Sequence, residues 1–411
     1  MPSIISLKPK MNKTIVISVP SGSHHRALLQ PMRELLISKY TWNFVIVTPG
    51  APWANQFFPA ADYPRNRFFF EEIKTDEWQN PETKENLRKI YDKYKPDLIL
   101  TTTTGRDNLD RPILTVAKEM KIKTCTFIES WDNIWKMARM RDSQVIPDKI
   151  IVWNQIMKDH LLREFLEIKE EQVAVTGSPR FDLFSHSERI PSREELFEYI
   201  GLDPSKRLLH MATVELYDMS NVAEQVGIAK QEGKLPADLQ LYASMHPGSG
   251  KPAMHQHWAD KYGYTLRYSF GRRNNSPHKD FNFNPTPREM YMLVALWKYT
   301  DVMINFSSSA AVESMLGDRP TICVLYGKPL DWWNWRKSMV VKDFKEHYRD
   351  VVSGGGVRVI KKRKDLIPTI NDYLEHPEKD RAGRVQSCKN IITTLDGDAG
   401  KKTFEVIQSL I

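Results

Sequence analysis

The chain has 411 residues, 41% of them hydrophobic, which is more than one ordinary α/β domain needs and suits two. Lysine and arginine number 59 against 51 aspartates and glutamates, and the net charge of +8 favours anionic partners: nucleotide phosphates, anionic lipid surfaces or acidic glycans. No apolar run approaches a membrane span, residues 1–11 lack the apolar core of a secretory signal, and no zinc-finger, RNP-type or helix-turn-helix pattern points to nucleic acid. Cys125, Cys323 and Cys388 are widely spaced. They read as buried free thiols in a reducing compartment, with no disulfide framework and no metal site.

A β-branched run over 14–19 predicts a strand, closed by Pro20 and a Ser-Gly-Ser turn. Helical spacing follows through Ala27, Leu28, Met32, Leu35 and Leu36. Further strands are predicted over 44–47, 97–100, 123–128, 149–152 and 173–175, with helices over 113–120 and 155–165. Such alternation means βαβ units and a parallel, doubly wound sheet. Residues 185–193 are polar, contain a proline and read as an interdomain linker. Strands over 207–212, 239–245, 302–306 and 321–325 then predict a second doubly wound domain. Residues 272–288 lack periodicity and read as a long loop, mobile or functional. Helical spacing over 383–411 predicts a closing segment that crosses back over both domains. The expected fold class is therefore α/β, with two Rossmann-like domains facing one cleft.

Ligands of open α/β sheets bind at the carboxyl ends of the strands, so the polar residues there are the candidates. Residues 300–327 are the most informative stretch. An apolar run ends in Ser307, Ser308 and Ser309, a helix starts near Ala310 with Glu313 in its first turn, and Gly317 and Pro320 end it. Free N–H groups and the positive dipole end of a helix suit a phosphate, with serine hydroxyls as added donors, although a plain serine cap gives the same pattern. His246, followed by Pro247-Gly248-Ser249-Gly250-Lys251, stands at another strand tip. The first strand leads into Ser21-Gly22-Ser23-His24-His25, where an imidazole could take a proton from a hydroxyl. Thr101–Thr104 with Asp107, and the cluster Glu129-Ser130-Trp131-Asp132-Asn133, suit sugar hydroxyls. Gly177 and Ser178 offer backbone N–H groups, and Arg180 a fork for phosphate. Three indoles, Trp332, Trp333 and Trp335, sit beside Arg336 and Lys337 and cannot all point inward; base stacking, sugar stacking and contact with a membrane interface all fit.

In this order the residues resemble a GT-B glycosyltransferase. The stretch from Ser130-Trp131-Asp132-Asn133 through Pro147-Asp148-Lys149 and Val152-Trp153-Asn154 to Val175–Asp182 is similar to bacterial surface-carbohydrate biosynthesis proteins, relatives of the CDP-glycerol glycerophosphotransferases and capsule transferases. The residues around Asp396-Gly397 resemble their closing helix. His246-Pro247 and Ser307–Ser309 are similar to the elements that hold the CMP part of the donor in capsular sialyl- and Kdo-type transferases. That resemblance implies nucleotide or phosphate contact at His246, Ser307, Ser308 and Ser309, with Glu313 near the donor ribose or sugar. The loop at His24 and His25 resembles a base-bearing loop with one inserted serine, and no acidic pair followed by glycine matches the sialyltransferase catalytic element.

The implied activity is a metal-independent, inverting, Leloir-type glycosyl transfer that uses no cofactor. The donor is a nucleotide sugar, CMP-linked by resemblance, with UDP, GDP and CDP open. It would bind a C-terminal domain over 194–385 through His246, Ser307–Ser309, Glu313, Gly177, Ser178, Arg180 and Lys251. A glycan or lipid-linked acceptor would lie on an N-terminal domain over 1–184, against His24, Asp107 and Trp131, with His25, Asp132 or Glu129 as base. A helix over 386–411 would pack across both. The setting expected is cytoplasmic, with peripheral contact to an anionic membrane. Two other readings stand beside it: a non-hydrolysing nucleotide-sugar 2-epimerase of the same two-domain design, and a non-catalytic protein that binds sugar nucleotides.

Overall fold

A computed structural model describes residues 12–74, 80–102, 109–138, 145–214, 218–246, 252–273, 275–328, 332–346, 348–393 and 396–411, apart from the side chains of residues 332, 334, 339, 343 and 346. The chain divides into two compact units. The first joins Met1–Asp182, Arg273–Asn284 and Asp398–Ile411; the second joins Leu183–Arg272 and Pro285–Gly397.

Among the described residues each unit is built on one parallel sheet. The first has seven strands in the order β3-β2-β1-β4-β5-β6-β7: β1 Lys13–Ser18, β2 Trp42–Thr48, β3 Phe68–Glu72, β4 Leu98–Thr102, β5 Lys123–Phe127, β6 Lys149–Val152 and β7 Val173–Val175. The second has six in the order β10-β9-β8-β11-β12-β13: β8 Arg207–Ala212, β9 Leu239–Met245, β10 Tyr264–Tyr268, β11 Val302–Asn305, β12 Thr321–Val324 and β13 Val357–Ile360. Central strands such as KTIVIS and WNFVIVT are buried almost throughout, as strands covered by helices on both faces must be. In both sheets the strand order reverses between the first strand and the fourth, with Ile17 opposite Leu100 and Met211 opposite Ile304. That reversal defines the doubly wound Rossmann arrangement. The fold class read from the sequence, two Rossmann-like α/β domains, is the one observed.

Three strands escaped the sequence reading. β3, β10 and β13 are all sheet edges, and their residues are largely half-buried. The closing segment is two helices, not one: Arg381–Ile392 belongs to the second unit and Ala399–Gln408 to the first. Gly397, at φ 79°, lies between them. Residues 275–284, expected as loop, join the first unit and carry a short 3-10 turn over Lys279–Phe281. Among the described residues no helix is long and apolar enough to cross a membrane. All three cysteines are buried free thiols.

Candidate functional site

In the second unit the strand order reverses between β8 and β11, and ligands of such sheets bind at the carboxyl ends beside that reversal. β8 runs into Thr213, whose Oγ1 accepts a hydrogen bond from the His246 N–H at 3.0 Å. His246 is the exposed residue at the tip of β9. β11 runs through Phe306 into Ser307, Ser308 and Ser309, all half-buried. With β8 between β9 and β11, His246 and the serine turn are two strand spacings apart, roughly 10 Å, on one edge of one sheet. Ser308 Oγ accepts from the Ala310 N–H at 3.2 Å, and Ser309 stands at the start of the helix Ala310–Leu316 without a side-chain cap bond. Glu313 is buried one turn along, 6% exposed.

The same edge carries an ion pair. Asp218 precedes the helix Ser220–Gln231 and accepts from the Ser220 N–H (2.8 Å) and Oγ–H (2.9 Å). Lys328, from the loop after β12, reaches it at 2.5 Å. Burial alone would raise the Asp218 carboxyl, yet the Lys328 ammonium and the Ser220 donors outweigh it and hold the carboxyl below its usual value.

In the first unit the reversal lies between β1 and β4. Ser18 ends β1 and donates from Oγ to the buried Asp110 carboxylate at 2.8 Å. The chain then turns through Ser21 and Gly22 into helical residues 22–38, with a π-helical turn over His25–Leu29. Such turns concentrate at functional sites. His24 is 1% exposed, its Nδ1 2.8 Å from Ser21 Oγ. Burial, with a smaller push from the Lys136 ammonium, lowers its pKa to about 3. His25 is equally enclosed. Asn284 Nδ2 donates to the Phe57 carbonyl at 3.3 Å, which turns its Oδ1 toward His25 Nδ1 at 2.7 Å. Nδ1 therefore carries the proton, and Nε2 accepts from the Tyr63 hydroxyl at 2.5 Å. Burial, opposed by the Asn284 bond, lowers its pKa to about 4. Both imidazoles are neutral at pH 7.

Beyond β5, Glu129 lies 3.9 Å from Lys136 Nζ, both side chains nearly enclosed, and Asp132 is half-buried in the next turn. The Trp131 ring is 6.1 Å from that of Trp153. After β7, Gly177 adopts φ 86° and its N–H reaches the Trp153 carbonyl at 3.1 Å. The Ser178 hydroxyl is buried with no hydrogen-bond partner among the described residues. The Arg180 guanidinium sits over Phe181 (4.5 Å) and Trp153 (5.2 Å). Asp182 accepts from the Ala399 and Gly400 N–H groups at 3.1 and 2.6 Å, capping the last helix.

The residues expected at the donor thus divide between the units. His246, Ser307, Ser308, Ser309 and Glu313 share one edge of the second; Gly177, Ser178 and Arg180 belong to the first. Asp107 and Lys251 lie outside the described residues.

No protein-family model matches the chain, and no curated protein matches it by sequence. Solved structures do match its architecture. The UDP-GlcNAc 2-epimerase of Neisseria meningitidis bound to UDP-GlcNAc is similar at TM-score 0.65 and 14% identity, over 96% of this chain and 100% of that one. The UDP-GlcNAc 2-epimerase of Methanocaldococcus jannaschii is similar at TM-score 0.62 and 15% identity, over 96% and 99%. A glycosyltransferase of Rickettsia africae is similar at TM-score 0.56 and 14% identity, over 97% and 98%. The fold is GT-B-like.

Within this GT-B-like chain the sequence reading missed Asp110, Lys136, Tyr63 and Asn284. Asp110 follows a strand end in a helix's first turn, a position that could have drawn attention to it. Lys136 stands one turn beyond the Glu129–Asn133 cluster. Tyr63 and Asn284 meet His25 only through the tertiary fold, and no local pattern marks them.

Proposed function

We propose that the chain is an enzyme acting on a nucleotide-activated sugar. The observation that carries this reading is the carboxyl edge of the second sheet. There the serine turn, Glu313 and His246 flank the reversal of strand order, with the Asp218–Lys328 pair beside them. The N–H groups of Ala310 to Glu313 are taken by Ser308 and Ser309, against the free helix-end donors expected from the sequence, so the serine hydroxyls are the donors that suit phosphate oxygens and offset charge that grows on a departing phosphate.

Of the two reactions open to this fold, interconversion of the sugar by a non-hydrolysing 2-epimerase has the stronger support. UDP-GlcNAc 2-epimerases recur among the similar structures, and the match spans nearly the whole chain. The same comparisons support a uridine nucleotide ahead of the CMP-linked donor implied by the sequence resemblance. Inverting a carbon that bears hydrogen requires a proton to leave and return, so acid–base groups are needed. Glu129, Asp132 and His24 are our candidates for them. His25 has both ring nitrogens engaged, which favours those three over it.

Sugar transfer remains the second reading. The glycosyltransferase among the similar structures supports it, as does the exposed Trp333 with Lys337 Nζ 4.2 Å over its ring. An indole beside a cation suits an anionic membrane surface that carries a lipid-linked acceptor.

Incubation with UDP-GlcNAc alone, followed by proton NMR of the sugar, separates the two. An epimerase produces a second sugar nucleotide with no acceptor present; a transferase leaves the donor intact or hydrolyses it slowly. Calorimetry with UDP tests the site itself. Ser308→Ala and His246→Ala should each weaken binding about 5- to 30-fold, the loss of one or two kcal/mol expected for hydrogen bonds to a charged group. Unchanged affinity in both variants would remove the nucleotide from this edge.

A further inference from the structure

Residues 275–284 follow the second unit's strand β10 in sequence, yet pack into the first unit. Phe281 is fully buried and stacks on Phe57, with ring centroids 4.3 Å apart. His278 lies 5.6 Å from Trp53. The end of this strap sits against the loop that follows β1. A Cβ on Gly22 would fall 1.8 Å from the Phe283 carbonyl oxygen, so only glycine permits the approach. The Arg26 guanidinium lies 5.6 Å over the Phe283 ring. Asn284, 6% exposed, closes the contact by holding His25.

The surroundings of His25 suit a neutral ring and oppose a charged one. It bonds to an amide and a phenol, and the Phe58 ring meets it edge-on at 4.8 Å. Among the described residues no carboxylate bonds to it. Its own helix brings Arg26 and Arg33, the latter tied to Asp62 at 2.5 Å. The strap brings His278 and Asp280, 3.5 Å from each other. His24, with Lys136 behind it, adds no negative charge.

We propose that residues 275–284 form an acid-released strap, docked on the β1 end loop while His25 is neutral and freed when its imidazole takes a second proton. The proton arrives at Nε2, the nitrogen that accepts from Tyr63, and leaves a buried cation with no counter-charge. The sign follows from the buried pKa of about 4 against 6.5 in a released, solvated loop. The docked form binds fewer protons, so docking is complete above about pH 6.5 and is lost as pH falls toward 4. Release would uncover Ser21 to His24 at the reversal between β1 and β4. The inference rests on this geometry alone and stands whichever reaction the chain performs.

Hydrogen–deuterium exchange of the full chain at pH 7.5 and pH 5.0, corrected for intrinsic rates, tests it. Peptides over 275–284 and 21–29 should lose protection at pH 5.0 on the order of 30-fold beyond the loss that β4, β5 and the helix Pro287–Tyr299 show through global weakening. His25→Asn should abolish that pH dependence in 275–284, while the buried His24 keeps its own in 21–29. Asn284→Ala leaves the imidazole in place without its amide partner and should loosen the strap at both pH values. Equal protection at the two pH values, or a parallel loss across the whole first unit, would overturn the proposal. So would acid release that survives in His25→Asn, which would assign it to His278 or Asp280 instead.

Discussion

Arg384 is 1% exposed in the second unit, where three carbonyl or carboxylate groups converge on it. Its guanidinium donates to Asp318 Oδ1 (3.0 Å), the Lys379 carbonyl (2.6 Å) and the Pro377 carbonyl (3.0 Å). Asp318 is held at φ 55°, so the pair fixes a left-handed turn as well as the helix Arg381–Ile392. The Asp318 carboxylate is 41% exposed and keeps Arg381 at 3.0 Å, so removing Arg384 strands mainly the two carbonyls. Arg384→Ala should therefore cost about 1–3 kcal/mol, read from urea unfolding of the second unit. Arg384→Lys should recover little, since an ammonium cannot span the same fork. Single residues of this kind are poorly legible in sequence. Arg384 looks like any helix-surface arginine, and His25 looks like an exposed base until Asn284, 259 positions along the chain, is found against it.

Elements were more legible than residues, for a physical reason. Central strands such as β1, β2, β8 and β9 are buried on both faces, so their sequences are continuous apolar runs. The edges β3, β10 and β13 bury less, and FFFEE, YTLRY and VRVI mix charge into the pattern. The serine turn after β11 was readable because strand, turn and helix follow one another within a single stretch. The Thr176 to Asp182 motif was readable as a strand-end loop, but its tie to residues 399–408 was not. Asp182 caps that helix, and Thr176 Oγ1 lies 2.9 Å from Thr403 Oγ1. Loss of a carboxylate cap costs about 1–2 kcal/mol. Asp182→Ala should thus lower the urea midpoint of the first unit and speed amide exchange in Ala399–Gln408, with the second unit unchanged.

Acid should act on the molecule as a whole. His24, His25 and His210 are all buried, with pKa values lowered to about 3, 4 and 3. Each therefore contributes stability that is present above about pH 6.5 and lost as pH falls through the window to 3–4. Between pH 7.5 and 5 the three together should weaken folding by several kcal/mol, on the order of 1–2 each. Denaturant midpoints measured across that range should fall steadily, and His210→Asn should flatten the part that belongs to the second unit.

The chain passes between the units four times, at residues 182–183, 272–273, 284–285 and 397–398. Every segment of the second unit is therefore translated before the last helix of the first. Until then the Trp42 ring, which lies 5.2 Å from Phe404 in the finished protein, lacks that neighbour and keeps the one on its own strand, Phe44. The unit that the chain begins first is thus the one it finishes last, and Trp42 gains its Phe404 neighbour only from residues 398–411.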